Sequence, residues 1–470
     1  MISSLTRGLI GAASIALAFA AVPAQAAWTS FHGDARNSGF CTNDAPFDSL
    51  LAWTVATGDS IVFSSPVVGA DGRLYVGTLG DRLLALSPQG DHLWSYSAGG
   101  NFRHSTPAIA ADGSITIASA DGVLHAVNPN GSARWTLALP STVKSSPKIA
   151  ADGTIYIGAE NGRLYAVNAT GTLRWSYLTG GAIRTVPAIA NDGTVLFGSL
   201  DGKLYALHAN GTLRWSALTN GQLKFSSPTV TESGVVYFGS YDGFLYAVTL
   251  DQTFLWAYPT GHVLRSSPAI GPLGQIYIGV DSKLIALLPD GTLAWEYDTG
   301  GEIYSSPVYF GDDDVVCVGS DSGVFHCLRA DGQLDWTFTV GSQIRTVPCP
   351  APSGHIYVAD AAGTIWAMGA PINVAAPESA LPVAGLGVRP TRNPAIGSVT
   401  FEALDQTARQ LDLLLYDVAG RHVVTLPGGD RDARLWNGLD AEGRRAPAGT
   451  YLYRLQGSPA RGAGRLTLLR

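Results

Sequence analysis

The sequence predicts an all-β protein, an eight-bladed β-propeller of four-stranded blades followed by a small C-terminal immunoglobulin-like β-sandwich. Three observations carry this. A segment of about 40 residues recurs between residues 50 and 369, marked by Trp53, Trp94, Trp135, Trp175, Trp215, Trp256, Trp295 and Trp336 and, in step, by Pro66, Pro107, Pro147, Pro187, Pro228, Pro268, Pro307 and Pro348. Each copy divides into four runs rich in Val, Ile, Tyr and Leu, separated in the third copy by Asp152-Gly153, Asn161-Gly162 and Thr170-Gly171. The first two of these dipeptides suit two-residue hairpins that need positive φ. The composition, 14% charged with 56 glycines and 26 prolines, fits a chain of many turns. A period near 40 with four strands implies blades around a channel, whereas helical solenoids would show 3.6-residue spacing.

Residues 1–26 read as a secretory signal peptide, with Arg7 ahead of an apolar run that closes on Ala24-Gln25-Ala26. The alternative, a membrane anchor, needs about 18 apolar residues and the run is shorter. No cysteine follows the expected cleavage site, which argues against a lipid anchor. Residues 27–49 form a lead-in, and residues 50–369 form the propeller.

Within a blade the proline decides the strand order. It cannot donate to a ladder, so its Ser- and Ala-rich strand belongs on an edge, and small residues fit the crowded axis. The bulky tryptophan strand is then outermost, with its indoles packing between blades. The last copy ends at Ile365-Trp366-Ala367-Met368-Gly369 without an outer strand, and Leu51-Ala52-Trp53-Thr54 arrives before any inner strand. The N-terminal strand should therefore complete blade eight and leave no free edge.

The four cysteines, Cys41, Cys317, Cys327 and Cys349, match no zinc spacing. In an exported chain they allow two disulfides, and four buried thiols are the alternative. A three-residue turn at Asp321 to Gly323 would place Cys317 opposite Cys327, leaving Cys41 and Cys349 as a second pair. Residues 370–386, rich in Pro and Ala, read as a linker. Residues 387–470 contain alternating strands with turns at Ala419-Gly420 and Glu442-Gly443, the pattern of the sandwich.

The strand Gly202 to Leu207, the element Asp290 to Trp295, the Ser-Ser-Pro-x-Ile strands and the lead-in from Trp28 to Gly39 resemble the pyrroloquinoline-quinone-type propeller family. That family includes quinoprotein dehydrogenases and the outer-membrane assembly factor BamB. The resemblance covers roughly residues 28 to 369 and implies fold more than function. Tyr416-Asp417, Gly420-Arg421, Trp436-Asn437-Gly438, Ala448 to Tyr451 and the terminal Leu-Leu-Arg resemble the FlgD-type immunoglobulin-like domain and the sorting domains of type IX secretion cargo. Pro390-Thr391-Arg392-Asn393-Pro394 departs slightly from the usual opening of such domains.

A net charge of −7 gives no basic field for nucleic acid. A quinone-dependent dehydrogenase would need mouth carboxylates and, in many relatives, adjacent cysteines; no two cysteines are adjacent, and Glu302 is the one acid within five positions before an inner-strand proline. The bases there stand out instead. Aligned on the apolar residue that opens each inner strand, the next residues are Val62, Arg103, Lys144, Arg184, Lys224, Arg265, Tyr304 and Arg345. Six of eight are Lys or Arg, in a chain with only 30 such residues. An extra residue in copies one, two and five adds Phe63, His104 and Phe225. Repetition around a ring becomes convergence in space, so these side chains should circle one channel mouth and favour anions. The structural alternative is that each base bonds a neighbouring carbonyl or faces water. Asp312-Asp313-Asp314 reads as a hairpin tip, and no metal or cofactor site is expected.

These features predict an exported, non-enzymatic binding propeller at the outer-membrane surface or outside the cell. Its partner would be a protein or an anionic glycan or peptide, with the C-terminal domain engaging secretion machinery or the surface. The alternatives are a periplasmic BamB-like assembly scaffold and a quinone-dependent dehydrogenase.

Overall fold

In the computed structural model, residues 27–42, 51–311, 313–369 and, with gaps, 388–469 are described. The expected signal peptide and the expected linker lie outside them. The chain divides into two units, residues 1–372 and 373–470. No described helix is long and apolar enough to cross a membrane.

The first unit is the eight-bladed propeller. Blade three is representative, with Lys148–Ile149 innermost, then Ile155–Gly158, Arg163–Val167 and Leu173–Leu178 at the rim, each antiparallel to the next. The second and third strands are almost wholly buried because both faces pack on neighbouring blades, so they read as continuous apolar runs. Blade eight takes its outer strand from Leu51–Ala56, whose Thr54 pairs with Trp366. The ring is thereby closed by the two ends of the repeat array.

The rim tryptophans from Trp53 to Trp295 each hold the next blade. The indole N–H of Trp94 donates to the Pro129 carbonyl at 2.9 Å, that of Trp135 to Ala169 at 2.8 Å and that of Trp175 to Ala209 at 3.0 Å. The acceptor lies in the hairpin before the next outer strand, and a hairpin glycine lies flat on the ring. A Cβ on Gly211, at φ +87°, would meet the Trp175 ring at 2.6 Å. Bulk and positive φ together require glycine there. In blade five Gln252 holds the left-handed conformation instead, at φ 65°.

At the axis, small hydroxyl residues tie blade to blade. The Ser64 hydroxyl donates to the Ser105 carbonyl, and the peptide N–H of Val347 in blade eight donates to Ser65 Oγ in blade one at 2.9 Å. The inner edge still presents unpaired N–H groups, and the lead-in satisfies them. Two residues after the proline, the N–H groups of Val68, Ile109, Ile189, Val230, Ile270 and Tyr309 donate to the carbonyls of Trp28, Thr29, Ala35, Arg36, Ser38 and Gly39. Blade three uses a side chain. Lys148 Nζ, fully buried, donates to Ser30 Oγ at 3.0 Å and to the Phe31 and Asp34 carbonyls at 2.8 Å each. In blade eight the corresponding residue is Pro350, which has no N–H to offer. The lead-in thus crosses the channel from one blade to the next.

Cys317 and Cys327 face each other in register in blade seven and are joined in a disulfide. The expected second pair is corrected: Cys41 and Cys349 are buried thiols. The N-terminal segment does return to blade eight through Leu51–Ala56, while the strand Phe40–Cys41 pairs with the inner strand of blade seven, Cys41 opposite Phe310, and packs in one core cluster with Cys349. Cys349 belongs to the inner strand of blade eight, which Leu51–Ala56 completes on its far side.

The second unit has two sheets, one of three strands and one of five. Val399, Phe401 and Trp436 from the first form one core with Leu413, Leu415, Leu426, Tyr451 and Tyr453 from the second. Phe401 meets Tyr453 and Trp436 meets Tyr451 edge to face at 4.9 and 5.0 Å. Residues from both sheets alternate inward, as a sandwich requires.

Candidate functional site

Strand pleat puts alternate residues toward the axis, so the proline sets which side chains meet there. Three residues before each proline stand Phe63, His104, Lys144, Arg184, Phe225, Arg265, Tyr304 and Arg345, one from each blade. All eight line one pit at the channel mouth. One step deeper come Ser65, Ser146, Val186, Ser227, Ser306 and Val347, and Phe31 of the lead-in lies at the bottom.

This corrects the ring expected from sequence. Counting from the apolar opening residue placed Arg103 and Lys224 in it, but the extra residue in those copies rotates them off the axis. Neither lines the pit, and Arg103 is exposed. Phe63, His104 and Phe225, expected beside the row, take the axial positions themselves. The ring is therefore four cations and four rings.

The aromatics meet across the mouth. Phe63 of blade one stacks on His104 at 5.2 Å, lies 6.2 Å from Phe225 of blade five, the blade opposite, and 6.0 Å from Tyr304. The cations lie on them, Arg345 at 4.6 Å over Tyr304 and 5.8 Å over Phe63, Arg265 at 5.1 Å over Tyr304, and Lys224 beside the ring at 4.9 Å over Phe225. What remains open measures about 70 Å³.

Carboxylates stand behind the guanidiniums. Arg184 Nε and Nη2 donate to the two oxygens of Glu160, each at 2.7 Å, with Lys144 3.6 Å from the same carboxylate. Arg345 Nη2 donates to Asp321 at 2.7 Å, and Arg265 lies 3.8 Å from Glu302. Sequence reasoning missed Glu160 and Asp321 because they lie far from the prolines, in the hairpin between second and third strands. That hairpin lodges between its own blade and the next: the Ile183 N–H donates to the Ala159 carbonyl, and the Ile344 N–H to Ser320. An acid in one hairpin followed by an arginine in the next blade's axial position is the signal that could have found both. At that position Leu79, Leu200 and Ala361 precede His104, Phe225 and Phe63, while Ala120 precedes Lys144 and Tyr241 precedes Arg265, so the signal finds the two arginines with a bidentate partner and not the other two cations.

The electrostatics follow. Burial would raise the Glu160 carboxyl, but Arg184 and Lys144 hold it below its ordinary value. Burial, helped by Arg103, Lys144 and Arg184, pushes His104 down to about 4, so it is a neutral ring near pH 7. Burial and then Arg184, Arg265 and Lys144 lower Lys224. Neighbouring cations act in the same direction at all three groups, alone against burial at Glu160 and as the smaller cause beside burial at His104 and Lys224.

A tricyclic quinone, which the dehydrogenase branch of the resemblance implies, does not fit this arrangement. The axial ring supplies no carboxylate, and about 70 Å³ is room for about five waters, too little for three fused rings. Among the described residues no cluster of His, Cys, Asp and Glu has the geometry of a metal site.

The propeller is similar to several solved structures. BamB from Moraxella catarrhalis superimposes with a TM-score of 0.57 at 20% identity, covering 68% of this chain and 97% of that one. A europium-containing methanol dehydrogenase gives 0.62 at 14% identity, covering 71% and 89%. Quinohemoprotein alcohol dehydrogenase from Comamonas testosteroni gives 0.64 at 14%, covering 77% and 83%. At these identities the likeness is one of fold. No curated protein matches the sequence. The family model described as outer membrane protein assembly factor BamB matches residues 89–286 and 280–372, and with more than half of its length matched the chain belongs to that family.

Proposed function

We propose that this protein is an exported, non-enzymatic binding propeller whose ring-lined mouth takes an anionic group of a protein, peptide or acidic glycan partner. The axial ring carries the reading: Lys144, Arg184, Arg265 and Arg345 interleave with four aromatic rings over one pit. Guanidiniums preorganised by carboxylates and stacked on aromatics lose little freedom on binding, and a concave positive mouth raises the local concentration of anions. The C-terminal sandwich serves export or surface attachment, a role that rests on its resemblance to sorting domains. Titrating the protein calorimetrically with polyglutamate at low salt tests the mouth, with binding expected to weaken as ionic strength rises. No heat at any salt concentration would remove the reading.

A second reading is a periplasmic assembly scaffold, and membership of the BamB family favours it. Mass spectrometry of outer-membrane, periplasmic and medium fractions separates the two. A full-length periplasmic form supports the scaffold, and a surface or released form supports the binding propeller. Adding pyrroloquinoline quinone with calcium and following dye reduction tests the dehydrogenase branch, and none is expected.

A further inference from the structure

We propose that the mouth recognises a single carboxylate presented end-on, and does not grip a polyanion along its length; this rests on the mouth being a binding site at all. The first ground is that the channel is blind. Phe31 closes the pit from below, and the lead-in that carries it is bonded to the inner strands of blades one, two, four, five, six and seven and to Lys148 of blade three. A chain cannot pass through, so only an end or a side-chain tip can enter.

The second ground is size. About 70 Å³ accommodates about five water-sized groups, enough for a carboxylate and the carbon that bears it. An extended chain with its side chains needs far more.

The third ground is hydrogen-bond polarity, because the pit offers donors. Arg184 and Arg345 each spend Nε and Nη2 on a carboxylate, and among the described residues neither Nη1 has a partner. In the tier below, Ser146, Ser227 and Ser306 Oγ each accept a peptide N–H from the preceding blade, from Thr106, Val186 and Ser267, and Ser65 Oγ accepts from Val347. Each oxygen thereby has one of its two lone pairs engaged, while no described partner takes the O–H hydrogens. Guanidinium N–H, Lys144 ammonium and serine O–H groups around one small space call for a ligand that only accepts, which is the character of an ionised carboxylate. The Phe63, His104, Phe225 and Tyr304 rings then surround the carbon that bears it.

Such a carboxylate has two sources, a peptide C-terminus or an Asp or Glu tip. Fluorescence anisotropy at low salt with three labelled, N-acetylated peptides distinguishes them: one neutral with a free C-terminus, its C-terminal amide, and that amide carrying a central Glu. The free acid, the Glu peptide or both should bind, and the neutral amide should bind at least about tenfold more weakly. Oligoglutamates of increasing length should gain little affinity with each added residue. Phe31→Trp and Val186→Leu, which fill the pit from two different elements, should each weaken carboxylate binding about tenfold, and thermal melts identify whichever remains folded. Affinity that climbs steadily with oligomer length and survives filling of the pit would overturn end-on recognition while leaving the anionic mouth intact. Failure of every anionic probe, polyglutamate included, would overturn both.

Discussion

At the rim, the tryptophans from Trp53 to Trp295 occupy one position and make one contact, an indole N–H donated into the next blade's hairpin. At the mouth, the position three residues before each proline holds Phe, His, Lys, Arg, Phe, Arg, Tyr and Arg. Both belong to the same repeat. A contact that recurs from blade to blade selects the same residue each time, because the neighbour it meets is the same. A position that faces the open axis meets no such neighbour, and its residues can differ until together they suit something else. Uniformity at the rim therefore marks structure, and divergence at the mouth leaves room for the site proposed there.

The comparison breaks first at the rim. Trp175→Ala should cost about 3 kcal/mol, the low end for a large aromatic, since the ring is only half-buried but covers Gly211 and donates to Ala209. Chemical denaturation should show the loss, with anion binding by the folded fraction unchanged. An effect within error would mean that the blades are not held by their rims.

Removing a mouth arginine should matter less to stability and more to binding. Arg184 and Glu160 are 19% and 20% exposed, so Arg184→Ala leaves a half-buried carboxylate without its bidentate partner. The expected cost is about 1 to 3 kcal/mol, larger than for an exposed charge. Binding of polyglutamate should fall as well. A loss of stability with binding intact would reassign Arg184 to the structure and leave the site without its best-placed guanidinium.

Lys148 is the inner-strand departure from pattern, standing where other blades have Val, Ala, Thr or Cys. Burial lowers its ammonium to about 7, against the 10.5 it has in water. Between those two values the unfolded chain binds a proton that the folded chain does not, so stability should rise with pH across that window through this group. Lys148→Met should flatten the rise from about pH 7 to 10, measured as denaturation midpoint against pH. An unchanged slope would show that the lysine titrates normally and does not pin the lead-in as a buried group.

How much was legible divides along the same line. The blade count, the strand order and the closure by Leu51–Ala56 follow from spacing and from proline chemistry, because every blade repeats the same evidence. Membership of the ring was only half legible. A one-residue insertion beside Phe63, His104 and Phe225 changes which residue points inward, and only strand register, counted from the proline, resolves it. The lead-in's path was not legible at all. It depends on backbone N–H groups at Val68, Ile109 and their equivalents, which every sequence has, and on one lysine whose role appears only when Ser30, Phe31 and Asp34 surround it.

The smallest expected effect is the sharpest test of that register. Arg103 and Lys224 look equivalent to Arg184 in sequence, yet neither lines the pit, and among the described residues neither has a carboxylate within ion-pair distance. Arg103→Ala should change stability by less than about 0.5 kcal/mol, because an exposed, unpaired guanidinium leaves nothing stranded when it goes. Its charge still lies near His104 and adds to the positive field, so the association rate for polyglutamate should slow slightly at low salt and recover the parental value at high salt. Dissociation should not change, because dissociation reports the groups that touch the ligand. Stopped-flow measurements on Arg103→Ala and Arg184→Ala side by side separate steering from contact. If the two variants lose affinity equally and through dissociation, the ring is the one read from the apolar residue, and the count from the proline is wrong.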